Sequence, residues 1–517
     1  MMNNAENNNV LYEHIPKEQF EFAQVDAKIH DAKFETKARG YFADAFIRFK
    51  KSKAAVAGAW IIIFLVAFSF IAPLVSPYTI DDTDNYYKNS PPYVRAIADM
   101  NLGIFDGAVT KTSVNDLALA YWNGIAVETG YDPLIRILET YETTSMYRGQ
   151  EKITYTYKIE TNKYYEQGIM YRVLSYEEFE AIQQWQNETG IQVIYPYVEP
   201  DDICGISDRP SIWYQVSDSK GTPVYDENGN FIPAYSTNSA IEGAPYNSIR
   251  VEGDDGSYIY SRRRSGAVEV RLCYYNYYQY VNGTEPFYIF GTNSMGMDLF
   301  LAVGVGSRFS IIFALLVSVI NLTIGAIYGA IQGYYGGTID LIMDRISDIL
   351  SGVPFMVVAV LFQLHLASKV GIVPAFLFAF VLTGWISMAA LTRKQFYRFK
   401  GQEFVMAART LGASDWRLMF KHIFPNSLGT IVTSCALVIP SVVSSETSLT
   451  YLGIINISDF AGTSLGTLMS QGQTSMTVSP HAMFFPALYF ALLLIAFNLF
   501  GNGLRDAFNP TMRGAEG

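Results

Sequence analysis

Side chains able to do chemistry are sparse in the apolar parts of the chain. Asp344, Arg345 and Asp348 stand together early in one long apolar run, His365 near its far end, and Glu446 just past another. Carboxylates in such places serve either as proton or sodium relays at the membrane midplane or as partners where helices pack near the interface. The clustering near one end of the run favours the packing role. No G-x-x-x-x-G-K-[ST] phosphate loop, H-E-x-x-H, paired C-x-x-C or G-x-S-x-G elbow occurs, which excludes nucleotide hydrolysis and hydrolase chemistry by those routes. Five scattered histidines predict no metal site, and no basic tract interleaved with aromatics points to nucleic acid. The chain is therefore expected not to be an enzyme. Of three cysteines, Cys435 lies in an apolar run and is expected to pack. Cys204 and Cys273 fall in an acidic segment, where a disulfide could form if that segment is outside the cell; two unpaired thiols are the simpler expectation.

The stretch "EFVMAARTLGASDWRLMFKHIFPN", Glu403 to Asn426, is too charged to cross a membrane and too apolar for a solvated loop. Its pattern predicts two short helices joined at Gly412 and stopped by Pro425. Trp416, Leu418, Met419 and Phe420 are apolar knobs on this elbow, while Ala407, Ala408 and Gly412 form an edge small enough for another backbone to approach. Glu403, Arg409, Asp415, Arg417 and Lys421 nearly balance in charge. A helix lying on lipid favours a basic polar face, so the balance favours the groove of a protein partner. The alternative is that the knobs only fasten the loop to its own bundle.

The elements around the elbow follow from composition. The chain has 517 residues, 50% of them hydrophobic and 16% charged, with a mean hydropathy of +0.14. Such a mixture implies an integral membrane protein with a sizeable soluble part. Six apolar runs are long enough to span: Ala54–Val75, Phe309–Gln332, Leu341–Leu366, Val370–Leu391, Leu428–Ser444 and Met483–Gly501. Residues 1–32 are polar and expected to be poorly ordered. Residues 33–77 hold a basic amphipathic lead-in, with Phe42, Phe46 and Phe49 at helical spacing, and the first span. Seven Lys and Arg precede that span and seven more fall in Arg393–Lys421, whereas Ser445–Ala482 has none. Six spans with both termini in the cytosol satisfy this asymmetry, which puts the elbow in the cytosol and residues 78–290 outside.

That outer segment carries the acidity: about thirty acidic and sixteen basic residues lie between 77 and 290, within a chain of net charge −11. It reads as an inserted α+β domain. "KITYTYKIE" alternates as a strand does, "SYEEFEAIQQWQNETG" opens on a capping box at Ser175 and Glu178 and closes on Gly190, and "PVYDENGNFIPAY" carries an Asn-Gly hairpin signal. "VEVRLCYYNYYQY" is expected to be a further strand, and the many tyrosines suit a recognition surface or ordinary sheet positions.

The elbow resembles the EAA loop of ATP-binding-cassette importer permeases, E-A-A-x3-G-x9-I-x-L-P. Ala407, Ala408, Gly412 and Pro425 match in register, whereas Met406 stands at the glutamate, His422 at the isoleucine and Phe424 at the leucine. Glu403, one turn earlier, is a candidate replacement for the glutamate. "FGTNSMGMDLFLAVGVGSRFS", "GYYGGTIDLIMDRISDILSGVPF", "SLTYLGI" and "FNLFGNGLRDAFNP" resemble, in order, the core of the oligopeptide/dipeptide C-type subunits. The resemblance covers 33–77 and 290–513, with 291–513 as the permease core and 398–426 as its coupling loop; the large insert is a departure. It implies an all-α polytopic membrane protein of six transmembrane helices with the type I importer permease fold, interrupted by the α+β insert. It further implies half of a peptide-conducting pore. The implied partners are a second, B-type permease subunit, two cytosolic ATPase subunits, an extracytoplasmic peptide-binding protein, the peptide itself and lipid. No cofactor is expected on this chain, ATP and Mg being handled by the ATPases. The coupling residues implied are Glu403, Ala407, Ala408, Gly412, Trp416, Phe420 and Pro425. A receptor with an external ligand domain and a secondary carrier are the competing readings; neither accounts for the ordered motifs.

Overall fold

An apolar run with no charge after its first residue has little choice but to satisfy its backbone internally, and Lys53–Val75 is an unbroken 23-residue helix in the computed structural model of the chain. Ser52 caps it by accepting from the Ala55 amide. The structure describes residues 41–100, 102–147, 150–196, 225, 227, 258, 260–457 and 463–508. The hairpin expected at 223–235, the polar N-terminus and Cys204 lie outside the described residues. The chain divides at Arg48 into two units. A helix runs from Tyr41 to Lys51, with Arg48 paired to Asp44 one turn earlier. Phe46 and Phe49, three residues apart, lie on one side of this helix, Phe46 exposed and Phe49 buried.

Among the described residues four more helices are long and apolar enough to span: Leu299–Tyr335, Ile372–Phe399, Asp415–Tyr451 and Pro480–Phe508. A sixth crossing exists only if Gly337–Ser351 and Phe355–His365, bent by 73° at a short break, count as one. The expected straight span Leu341–Leu366 is thus corrected. Pro354 supplies no N–H to the helical ladder and disfavours helical geometry at Val353, so the run breaks there. The helix expected at Phe309–Gln332 begins ten residues earlier because Asp298 accepts from the Phe300 and Leu301 amides and starts the first turn at Leu299.

Three glycines at four-residue spacing on Leu299–Tyr335 let Ile386–Phe399 lie directly on it. A Cβ at Gly325 would meet the Met388 side chain at 2.7 Å, one at Gly329 the Ala389 carbonyl at 2.2 Å, and one at Gly333 the Arg393 carbonyl at 2.7 Å. Such small-residue faces replace hydrophobic driving force with close packing between membrane helices.

Among the described residues all the strands lie between the first two spans. β1 (Ala108–Asn115), β2 (Leu134–Tyr147) and β3 (Gln150–Asn162) form an antiparallel sheet in the order β1-β3-β2. β4 (Ile169–Leu174), β5 (Ile194–Pro196), β6 (Ser261–Arg262) and β7 (Val268–Cys273) form a second sheet, with β7 joining the others. The helix predicted after Ser175 is Tyr176–Thr189; Ser175 accepts from the Glu178 amide and Gly190 ends it at φ +74°. The strand expected through "VEVRLCYYNYYQY" is half right. β7 stops at Cys273, and Tyr274–Asn282 is a helix because Tyr274, Tyr275 and Tyr278 are buried at helical rather than alternating spacing.

Those tyrosines belong to the insert's core. Tyr87, Tyr93 and Tyr164 are fully enclosed, Tyr78 stacks on Tyr288 at 4.9 Å, and the Tyr278 hydroxyl lies 2.9 Å from that of Tyr78. Cys273 is buried among them, its thiol pushed up to about 11 by burial, and it is in no disulfide among the described residues. The region is tied to the start of the second spanning helix by backbone bonds: Asn89 to Asn293 (2.9 Å), Thr292 to Ser90 (2.8 Å) and Asp84 to Gly296 (3.2 Å). The Thr292 carbonyl also meets the His481 ring at 3.1 Å.

Candidate functional site

The elbow is built from two helical pieces. Glu403–Thr410 begins after an extended Gln402 and ends in a Schellman turn: the Gly412 amide donates to Arg409 (2.9 Å) and the Ala413 amide to Ala408 (3.1 Å). Gly412 has φ +82°, the left-handed conformation that glycine adopts without strain. Ser414 starts the second piece at Asp415, and the ladder widens to a π-helical turn over Leu418–Ile423 before continuing as Phe424–Tyr451. The expected stop at Pro425 is therefore corrected. Pro425 falls in the first turn of Phe424–Tyr451, where its missing N–H is tolerated just after the wide turn, and Asp415–Tyr451 is one continuous 37-residue helix.

Elbow knobs divide into two groups. Leu418 and Met419, expected to face a partner, are buried together with Val405 and Ile423 against Ala330, Tyr334 and Phe396. Ala408 and Phe420 flank that core. Trp416 is 63% exposed and leans on Phe420 with ring centres 4.1 Å apart. Around it Leu411 is 89% exposed and Met406 51%, and Phe404 is exposed too. These three extend the outward apolar face, and in the sequence they cannot be told from the buried Val405 beside them. Ala407 and Gly412 are exposed on this side, Ala408 only partly, so the small-residue edge is shared between solvent and core. Glu403 is exposed and has no ion pair among the described residues. An exposed apolar cluster on a fixed scaffold, rimmed by charges of both signs, is the physical signature of a docking surface.

Polar contacts fix the footing. The Tyr334 hydroxyl donates to Asp415 at 2.5 Å, and the Arg409 guanidinium lies over the Tyr334 ring at 5.7 Å. Behind the elbow, Arg393 donates to Asp340 (2.6 Å) and Asp344 (2.8 Å), Tyr397 donates to Asp340, and Lys400 donates to the Gly333 carbonyl (3.0 Å). Asp344 thus has the packing role, while Asp348 pairs on the surface with Arg345 at 2.9 Å. Together the contacts lock the ends of three apolar helices to the elbow.

Glu446 departs from expectation. It lies inside the Phe424–Tyr451 helix, with no exposed surface, and accepts hydrogen bonds from Ser310 (2.8 Å), Thr447 (3.3 Å) and Thr450 (3.4 Å). Sequence reading ended that span at Ser444 because the Ser, Glu and Thr residues after it lower the hydropathy. The Thr447, Ser448 and Thr450 hydroxyls donate within their own helix instead.

Comparison with known proteins follows this geometry. Residues 322–514 match the family described as binding-protein-dependent transport system inner membrane component, and residues 40–92 match the N-terminal transmembrane domain of oligopeptide transport permease C. Every strand named above falls between the two matched regions. The oligopeptide transport system permease protein OppC of Bacillus subtilis (strain 168) is 40% identical over 224 residues, 43% of this chain and 72% of that protein. The dipeptide transport system permease protein DppC of the same organism is 35% identical over 226 residues, 43% of this chain and 69% of that one. Among solved structures, the MetNI methionine ABC transporter in inward-facing conformations aligns with a TM-score of 0.34 and 15% identity, over 40% of this chain and 96% of that one.

Proposed function

The chain belongs to the binding-protein-dependent transport system inner membrane components, in their oligopeptide permease branch, and from that premise we propose that it is a membrane permease subunit of an ATP-driven peptide importer. It is a transporter component rather than an enzyme. The observation that carries the mechanism is the continuity of the elbow with a membrane helix: Trp416 stands exposed one residue into a helix that runs unbroken to Tyr451. A partner that grips Trp416, Leu411 and Met406 grips the end of a rigid element reaching across the bilayer.

In this reading two ATPase subunits bind ATP and Mg, close on nucleotide and draw their grooves together, and the elbow follows. The Arg393–Asp340–Asp344 cluster and the glycine face pass the motion to the neighbouring helices. A second, B-type permease supplies the other half of the pore, and a peptide-binding protein delivers cargo from the far side. The Lys and Arg distribution supports an arrangement with the elbow and both termini in the cytosol and the strand-bearing insert outside. The insert's backbone bonds to residues 292–296 favour a brace over the pore mouth.

Affinity purification of the full-length chain in mild detergent tests the proposal. Recovery of two ATPases and a second permease is expected, with crosslinks from position 416 reaching an ATPase. A preparation without any ATPase, or crosslinks only to lipid, would overturn it.

A further inference from the structure

Where the insert meets the first turn of Leu299–Tyr335 there is an open cleft of about 320 Å³, room for about ten water molecules. Its walls are tyrosine: Tyr78, Tyr86, Tyr274, Tyr277 and Tyr288 all line it. Tyr86 packs on Tyr274 with ring centres 4.5 Å apart, and Tyr78 stacks on Tyr288, so the rings are held in place by one another. Burial keeps Tyr274 and Tyr288 above the ordinary phenol range, so these walls are neutral at physiological pH.

Asp82, Asp84 and Asp298 also line the cleft, and no Lys or Arg does. Asp84 accepts from the amides of Tyr86 (2.8 Å) and Tyr87 (3.1 Å) and from the Tyr274 hydroxyl (2.7 Å). Asp298 accepts from Ser76 (3.1 Å) and caps the helix, and Asp82 accepts from the Thr79 amide (2.7 Å). None of the three has an ion pair among the described residues. Neutral donors orient a carboxylate without cancelling its charge, so the cleft keeps a negative potential focused between low-dielectric walls. Aromatic faces add attraction for a cation within about 6 Å of a ring centre. Arg172 already sits this way on Tyr277, 5.8 Å from its centre, without lining the cleft. A bare metal ion is a poor occupant, because no three His, Cys, Asp or Glu among the described residues converge on one point.

We propose that this cleft binds an organic ammonium group, the free amino end of a peptide arriving at the pore. The identity of the occupant rests on the importer reading above; the cation chemistry does not. Asp298 is the cap of a spanning helix, so the occupied cleft sits directly against the first turn of the membrane domain.

Binding is to be measured by saturation-transfer NMR on the full-length protein, purified with its associated subunits in lipid nanodiscs and without added binding protein. The probes are tri-alanine, N-acetyl-tri-alanine and tetramethylammonium. Tri-alanine is expected to bind at least tenfold more tightly than its acetylated form and to be displaced by tetramethylammonium. Asp82→Asn and Tyr86→Ala, both at exposed rim positions, are each expected to weaken it about tenfold. Equal binding of the two peptides overturns the peptide occupant, and binding of every probe unchanged in both variants overturns the site. Tetramethylammonium binding that is lost in both variants, with no discrimination between the peptides, keeps the cation chemistry and refutes the peptide occupant. ATP-driven uptake, measured separately on the unaltered protein, decides the importer reading independently of either result.

Discussion

Replacing Trp416 by alanine removes the bulkiest exposed ring of the elbow while leaving its footing intact. The side chain is 63% exposed and touches its own protein chiefly through Phe420. A tryptophan buries up to about 250 Å² when covered, so about 160 Å² remains for a partner. At about 25 cal/mol per Å², complete cover contributes about 4 kcal/mol and half cover about 2 kcal/mol. Trp416→Ala should therefore weaken ATPase docking by about 30-fold to 1,000-fold. The assay titrates purified ATPase subunits against the full-length chain in nanodiscs, with thermal unfolding measured in parallel. Docking should weaken with little change in Tm. Leu418→Ala should behave oppositely, losing about 2–5 kcal/mol of stability because Leu418 is fully enclosed. Unchanged affinity for Trp416→Ala, or an affinity loss for Leu418→Ala without a stability loss, would refute the division of the elbow into an outward face and an anchor. Trp416→Asp should go further and leave ATP hydrolysis running without peptide uptake.

Gly329→Leu should disrupt assembly, since even a Cβ there meets the Ala389 carbonyl at 2.2 Å; a fall in folded yield and Tm is expected, and a wild-type melting curve would count against the close approach. Glu446→Gln should be nearly neutral because an acceptor oxygen remains, whereas Glu446→Ala strands buried hydroxyls at about 1–3 kcal/mol each, measurable by unfolding in detergent. Burial pushes the Asp298 carboxyl up from 3.8 to about 6. A raised folded value means the native state binds the proton more tightly, so the contribution is full below pH 3.8 and is lost as pH rises through 6. Stability of the unaltered protein relative to Asp298→Asn, which keeps the cap, should therefore fall by about 3 kcal/mol over that interval; a flat difference would show Asp298 to be exposed. Excision of residues 80–285 with a short linker should impair pore assembly if the insert is a brace, and an assembled pore that has lost only binding-protein capture would contradict that role.

Sequence patterning made the membrane helices legible because hydropathy over about twenty residues reports directly on transfer into lipid. It failed where local chemistry overrides the average. "SGVPF" carries the backbone break that bends the third run, but the apolar residues on both sides outweigh one proline in any window. Asp298 extends its helix by a cap that hydropathy does not register. At the elbow, Gly412 was readable because only the left-handed turn explains glycine there, while Pro425 misled because proline is a stop in a helix interior and harmless in a first turn. Leu418 and Trp416 look alike in the sequence; which of them is buried depends on Tyr334 and Phe396, residues from two other helices. The tyrosine cleft was invisible for the same reason, since Asp84, Tyr274 and Asp298 meet only once β7 and the insert have folded against the second spanning helix.

At 1.5 Å per residue, the helix from Asp415 to Tyr451 is a lever about 55 Å long, and Glu446 rides about 45 Å from the gripped end. If the helix is tilted by about 5° around a fixed pivot at its Asp415 end, a point about 45 Å along it sweeps sideways by about 4 Å. A contact of 2.8 Å between Ser310 and Glu446 does not stretch that far. Either it lets go or the Leu299–Tyr335 helix is dragged along, so a small tilt at the Asp415 end is expected to reach Ser310 as a step too large for one hydrogen bond to absorb.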